Sequence, residues 1–158
     1  MAWSGVSSVT SYGFVLVAAA LVSVMPSEVI AWSKGRALVA TDLPVDPVEY
    51  NGVTFKIGQT NNFLVYPGLA LGVVVSQAYR IMQHMLQAAA IAIAAEVDMS
   101  KSGAPLLPQI EDPRAFSAWV AQAVVRAAVV DRVANYHPTS FPEEIEDAMW
   151  QPVYPDAT

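Results

Sequence analysis

The sequence predicts an α/β chain, with a few strands in the N-terminal third and a mainly helical C-terminal half. Three observations lead there. Val48-Glu49-Tyr50, Asn51-Gly52 and Val53-Thr54-Phe55 form a hairpin signal, because Asn-Gly supplies the two positive-φ positions of a type I′ turn. Phe116, Val120, Ala123, Val124, Ala127 and Val130 recur at helical spacing behind Asp112-Pro113, an N-cap followed by proline at the first helical position. Between them, Pro67-Gly68 opens a run of small and aliphatic residues suited to a closely packed helix.

Length and composition narrow the function classes. A chain of 158 residues can bury a real core, so residues 1–158 read as a single domain. Hydrophobic residues make up 54% and charged ones 14%, with mean hydropathy +0.39, which favours an extensive interface over disorder. The net charge of −6 and the dispersed Lys and Arg argue against nucleic acid as a partner. With no cysteine there is no disulfide, thiolate nucleophile or thiolate-ligated metal, and the cytoplasm is the expected compartment.

Residues 1–13 read as a Ser-, Thr- and Gly-rich loop. The apolar run Phe14 to Met25 fits a buried strand, a buried helix or the core of a signal peptide. It falls short of the ~20 apolar residues that span a bilayer. No Lys or Arg precedes it, so a buried element is expected, with a peripheral membrane anchor as the alternative.

Pro26 to Ser33 predicts a short helix with an early Glu28, stopped by Gly35 in the left-handed conformation. Arg36 to Thr41 is a central-strand candidate. The helix opened by Pro67 is expected to run to about Gln83, and a second alanine-rich helix from about His84 to Val97. Gly68, Ala70, Gly72, Ser76 and Ala78 mark the first of these for close approach to a neighbour. Met82, Met85 and Leu86 are read as packing residues. Residues 98–113 form a proline-containing connection, Asp112-Pro113 starts a helix to about Ala134, and Pro142-Glu143-Glu144 opens a last helix ending near Trp150.

Candidate chemistry concentrates at Asn61 and Asn62. Asparagine offers a carbonyl acceptor and two amide donors without charge, so a pair can hold a carboxylate or hydroxyl of a small polar ligand. A turn leading into a packed helix explains the same residues without any ligand. Glu143, Glu144, Glu146 and Asp147 suit a helix N-terminus and solvent better than a metal, since no histidine accompanies them at ligand spacing. His84 and His137 lack a HExxH-type context and read as surface or cap residues.

The segment Gly58-Gln59-Thr60-Asn61-Asn62-Phe63-Leu64-Val65-Tyr66-Pro67-Gly68 resembles the Gly-Gln-x-Asn-Asn-x-x-x-aromatic-Pro-Gly segment of malic and malolactic enzymes. The resemblance covers roughly residues 26–154. It includes Gly35-Arg36-Ala37-Leu38-Val39-Ala40-Thr41, Pro47-Val48-Glu49-Tyr50-Asn51-Gly52-Val53, Ala88-Ala89-Ala90 and Met149-Trp150-Gln151-Pro152-Val153-Tyr154. The branch it resembles is the bacterial NAD-dependent malic and malolactic one. The resemblance implies a truncated Rossmann-like NAD-binding domain, with L-malate and a dinucleotide as ligands and Mg²⁺ or Mn²⁺ as the family's metal. Carried over by position, Asn62 would bind the malate carboxylate and Asn61 would lie near the nicotinamide ribose.

Departures shape the functional expectation. The family's general-acid tyrosine, general-base lysine and Glu/Asp metal ligands belong to upstream regions without counterpart in this sequence. No Gly-x-Gly-x-x-Gly opens a helix. The family's Ser-Asn-Pro-Thr loop should precede Pro26, where Leu21-Val22-Ser23-Val24-Met25 stands instead. Gly5-Val6-Ser7-Ser8 is only loosely similar to the loop upstream of that one. Asp42 adds a charge where the family commonly has glycine, and Met82-Gln83 replaces a Ser/Thr-Asp helix cap.

The expectation is a C-terminal portion of a malate-oxidising, decarboxylating oxidoreductase, contributing part of the site and inactive alone. The alternative is a non-catalytic relative serving as an interaction or oligomerisation module. Self-association is expected from apolar edges.

Overall fold

In the computed structural model, residues 24–98 and 100–150 are described. The expected element at Phe14–Met25 therefore lies almost wholly outside them, as do residues 1–13 and the ending beyond Trp150. The chain divides into two units, residues 1–61 with 96–109, and residues 62–95 with 110–158.

In the first unit, helix α1 spans Pro26–Trp32. The Glu28 carboxylate accepts the Met25 backbone N–H at 2.9 Å, satisfying a donor at the helix start. At the other end Lys34 (φ 55°) and Gly35 (φ 74°) are both left-handed, and the Gly35 N–H reaches back to the Ile30 carbonyl at 2.8 Å. Val29 and Ile30 of α1 enter a core with Ala37, Val39, Phe55 and Ile57.

Strands β1 (Ala40–Thr41) and β4 (Gly58–Gln59) pair in parallel, with Ala40 opposite Gly58 and Thr41 opposite Gln59. Strands β2 (Val48–Tyr50) and β3 (Val53–Phe55) form the expected hairpin, with Asn51 (φ 49°) and Gly52 (φ 77°) at its turn. The Thr54 hydroxyl donates to the Glu49 carboxylate across that pair. The strand expected over Arg36–Thr41 is shortened to its last two residues. The Ser33 hydroxyl accepts the Ala37 N–H at 3.0 Å and the Ser33 carbonyl accepts from Arg36, so the start of the segment is tied to the end of α1.

The second unit is helical. A single 3-10 turn at Asn62–Leu64 leads into α2, Tyr66–Ser76. Helix α3 is Gln83–Ala95, α4 is Pro113–Val130 and α5 is Phe141–Ala148. The Asp112 carboxylate accepts from the Arg114 and Ala115 N–H groups at 3.0 and 3.1 Å, capping α4 as its sequence predicts. Helices α2 and α4 meet through Gly68 and Gly72, and the hydroxyl of buried Ser76 donates to the Gly72 carbonyl at 2.7 Å.

Helix α2 ends seven residues earlier than expected, for a tertiary reason. Gln77 adopts φ 49°, its carbonyl accepts the Asn135 side-chain amide at 3.0 Å, and Tyr79 N–H donates to the Val133 carbonyl at 3.2 Å. Helix α4 likewise stops at Val130, because Arg132 turns left-handed (φ 58°) and the Val133 N–H caps the Ala128 carbonyl at 3.0 Å. Val130 is 68% exposed and Ala123 half-buried, while Ser117, Ala121, Val125 and Ala128 are buried. The buried surface of α4 is broader than one stripe because both α2 and α3 pack on it.

Candidate functional site: the asparagine pair

Parallel strand β4 delivers the chain to the asparagines. After Gln59, the Thr60 N–H donates to the Thr41 carbonyl at 2.8 Å, extending the β1–β4 ladder by one bond. The Gln59 side-chain amide donates to the Asp42 carbonyl at 3.2 Å, and the Thr41 hydroxyl donates to the Leu43 carbonyl at 2.8 Å. Asp42 is exposed and does not occupy the left-handed region, so its backbone accommodates a side chain without strain.

Asn61 is the last residue of the first unit and Asn62 the first of the second, and both are exposed. The Asn62 carbonyl accepts the Val65 N–H at 3.1 Å, fixing the turn that feeds α2. Val65 N-caps α2 without a side-chain bond, and Pro67 sits within its first turn. An exposed neutral amide at a helix entrance can donate to a carboxylate in a region the helix dipole renders slightly positive.

The remaining sequence candidates fall elsewhere. His84, half exposed, places Nδ1 3.0 Å from the Asp131 carboxylate, joining the start of α3 to the end of α4. The other oxygen of Asp131 is buried without a hydrogen-bond partner. His137 is exposed. Met85 is fully buried, Met82 half-buried and Leu86 46% exposed. In place of a hydroxyl cap on α3, the Met85 sulfur accepts the Met82 N–H at 3.4 Å, and α2 and α3 remain separate helices.

Glu144 is a structural carboxylate that sequence inspection grouped only as acidic. It accepts the Thr139 and Ser140 N–H groups at 2.8 and 3.2 Å and the Thr139 hydroxyl at 3.2 Å. Those backbone donors and the Tyr136 hydroxyl hold its carboxyl below the ordinary range, and the same hydrogen bond pushes the Tyr136 phenol up. A threonine and serine just ahead of a helix and a glutamate in its first turn was the available signal. A cleft of about 280 Å³ lies among Asp112, Arg114, Ala115, Ala118, Glu146 and Met149, lined by none of the predicted site residues.

Among the described residues no three His, Cys, Asp or Glu groups converge as a metal site would require. The donor set described does not fit Mg²⁺ or Mn²⁺, and no chemical step is assigned to either. No described helix is long and apolar enough to cross a membrane.

A mixed α/β arrangement, with a parallel strand pair, a hairpin and five helices among the described residues, defines the class: a Rossmann-like domain. Residues 19–129 match the family described as malic enzyme, NAD binding domain, and the chain belongs to that family.

Its relatives agree. The chain is 48% identical over 129 residues to NAD-dependent malic enzyme 3 of Bacillus subtilis, covering 82% of this chain and 23% of that protein. It is 43% identical over 128 residues to the malolactic enzyme of Lactiplantibacillus plantarum, covering 80% and 23%. Among solved structures, the malic enzyme of Pyrococcus horikoshii superposes with a TM-score of 0.62 at 28% identity, over 85% of this chain and 28% of that one. The chain thus spans about a quarter of the length of the relatives it matches.

Proposed function

We propose that this chain is part of the binding apparatus of a malate-oxidising, decarboxylating oxidoreductase. In this reading Asn62 donates to a carboxylate of L-malate, and Asn61 lies beside the nicotinamide end of NAD. The observation that carries it is the exposed Asn62 side chain at the entrance of α2, whose backbone carbonyl accepts the Val65 N–H at 3.1 Å.

Malate oxidation requires a base in reach of the substrate hydroxyl, and in this family a divalent cation supplies polarisation of the oxygen. Two amides orient a dicarboxylate but accept no proton at neutral pH. The chain therefore binds rather than transforms when it acts alone. Cytoplasmic residence belongs to the same reading, and the lack of cysteine fits it.

Nitrogen-labelled chain titrated with L-malate tests the assignment by NMR. The Asn62 side-chain amide and the backbone amides around it are expected to shift saturably, and Asn62→Ala to abolish the backbone shifts. No shift at tens of millimolar malate, with NAD present, would defeat it. The second reading, a non-catalytic interaction module, draws on the unconverged acidic groups, and predicts folding and association without any response to malate.

A further inference from the structure

Four asparagines occur in the chain, and Asn51 alone is followed by glycine. Asn51 and Gly52 lie exposed at the tip of the β2–β3 hairpin, both left-handed, at φ 49° and 77°. Among the described residues nothing hydrogen-bonds to the Asn51 side chain, and the Gly52 N–H has no acceptor. A β-carbon on Gly52 would meet nothing within 4 Å, so the space around that residue is open. The other three differ. Asn61 precedes Asn62, Asn62 precedes Phe63, and Asn135, which precedes Tyr136, has its amide tied to the Gln77 carbonyl at 3.0 Å.

We propose that Asn51 is a site of spontaneous covalent modification, converted to aspartate and isoaspartate at a rate set by opening of the hairpin tip. The Gly52 backbone nitrogen gives its proton to solvent base and attacks Cγ of Asn51. A Cγ–N bond closes a five-membered succinimide, the Cγ–Nδ2 bond breaks, and the departing nitrogen takes a proton from water and leaves as ammonia. Water then opens the ring, at Cγ to give aspartate or at the backbone carbonyl to give isoaspartate. Glycine is the successor that permits closure, because a side chain there would crowd the ring. A type I′ turn holds the Asn51 side chain and the Gly52 nitrogen on opposite sides of the Cα–C bond, so closure waits for the tip to open. Only three-residue strands and the Thr54 hydroxyl bond to Glu49 hold that tip, and so short a hairpin opens readily. Isoaspartate adds a methylene to a two-residue loop that sets the pairing of Val48 with Phe55, a residue of the first unit's core.

Trypsin isolates the site. Cleavage after Arg36 and Lys56 releases residues 37–56 with Asn51 as their one asparagine, and cleavage after Arg80 releases 57–80 with Asn61 and Asn62. The full chain, aged in mildly alkaline buffer and then digested, should show the mass gain of amide-to-acid conversion in 37–56 at least an order of magnitude faster than in 57–80. An isoaspartyl carboxyl methyltransferase with a labelled methyl donor should mark the aged chain, and Asn51→Gln should remove most of that label. Thr54→Ala, which loosens the tip, should quicken the gain ~2–5 times in a chain whose circular dichroism is unchanged. Equal rates in the two peptides, a label that survives Asn51→Gln, or a rate indifferent to Thr54→Ala would each overturn the proposal.

Discussion

Gly68 of α2 and Val120 of α4 approach so closely that a β-carbon on the glycine would lie 2.5 Å from the valine Cβ and 2.9 Å from the Ser117 carbonyl oxygen. The contact recurs one turn later, where a β-carbon on Gly72 would stand 2.7 Å from the Val124 Cβ. These two glycines set the distance between the helices, and α2 in turn carries the Asn62 entrance.

Gly68→Ala should therefore destabilise the helical unit despite alanine's better helix propensity. The propensity gain is ~1 kcal/mol, whereas overpacking against atoms close to a backbone costs ~1–3 kcal/mol. A thermal melt should show a lower Tm for Gly68→Ala. A Tm equal to or above that of the parent would show that the helices separate freely.

Asp112→Ala should cost ~1 kcal/mol by removing the acceptor for two N–H groups at the start of α4. Asp112→Ser should retain most of that stability. Chemical denaturation of the three chains compares them directly.

The pH dependence has a definite sign. The Glu144 carboxyl titrates below its ordinary value in the folded chain, so its stabilisation is complete above that value and is lost as pH falls through the lowered one. The Tyr136 phenol is raised, so its share is complete below pH 10.0 and disappears as pH rises through the elevated value. Asp98, held down to about 2 by Ser100 and Lys101, adds a second acid-side contribution that fades between 3.8 and about 2. Glu144→Gln should lower the neutral plateau of a Tm–pH profile and flatten part of its acid limb, so that variant and parent converge as pH falls.

The His84–Asp131 pair makes an asymmetric prediction. His84→Ala leaves both oxygens of a mostly buried carboxylate short of partners, at the end of α4 where the helix dipole already opposes negative charge. Asp131→Asn removes the charge and keeps an acceptor, so it should be milder than His84→Ala. Urea midpoints of the two variants decide the order.

Local chemistry was legible where the chain answers to its immediate neighbours. Asn51-Gly52 gave the hairpin, Asp112-Pro113 gave the α4 cap, and the small residues of α2 gave a close approach whose partner, α4, came from the fold. The end of α2 was not legible, because Gln77 turns left-handed to meet Asn135, a residue far along the chain. The His84–Asp131 pair, 47 residues apart, left no local signal at all. At the site, recognition of Asn61 and Asn62 came from a many-position resemblance, whereas their exposure came from the fold.

The most direct measurement of the central claim is spectrophotometric: purified chain with L-malate, NAD and Mn²⁺, followed for NADH. The account predicts no malate-dependent NADH, because in the proposed role the amides of Asn61 and Asn62 would orient a substrate without accepting its proton. Sustained, enzyme-proportional NADH formation would contradict it.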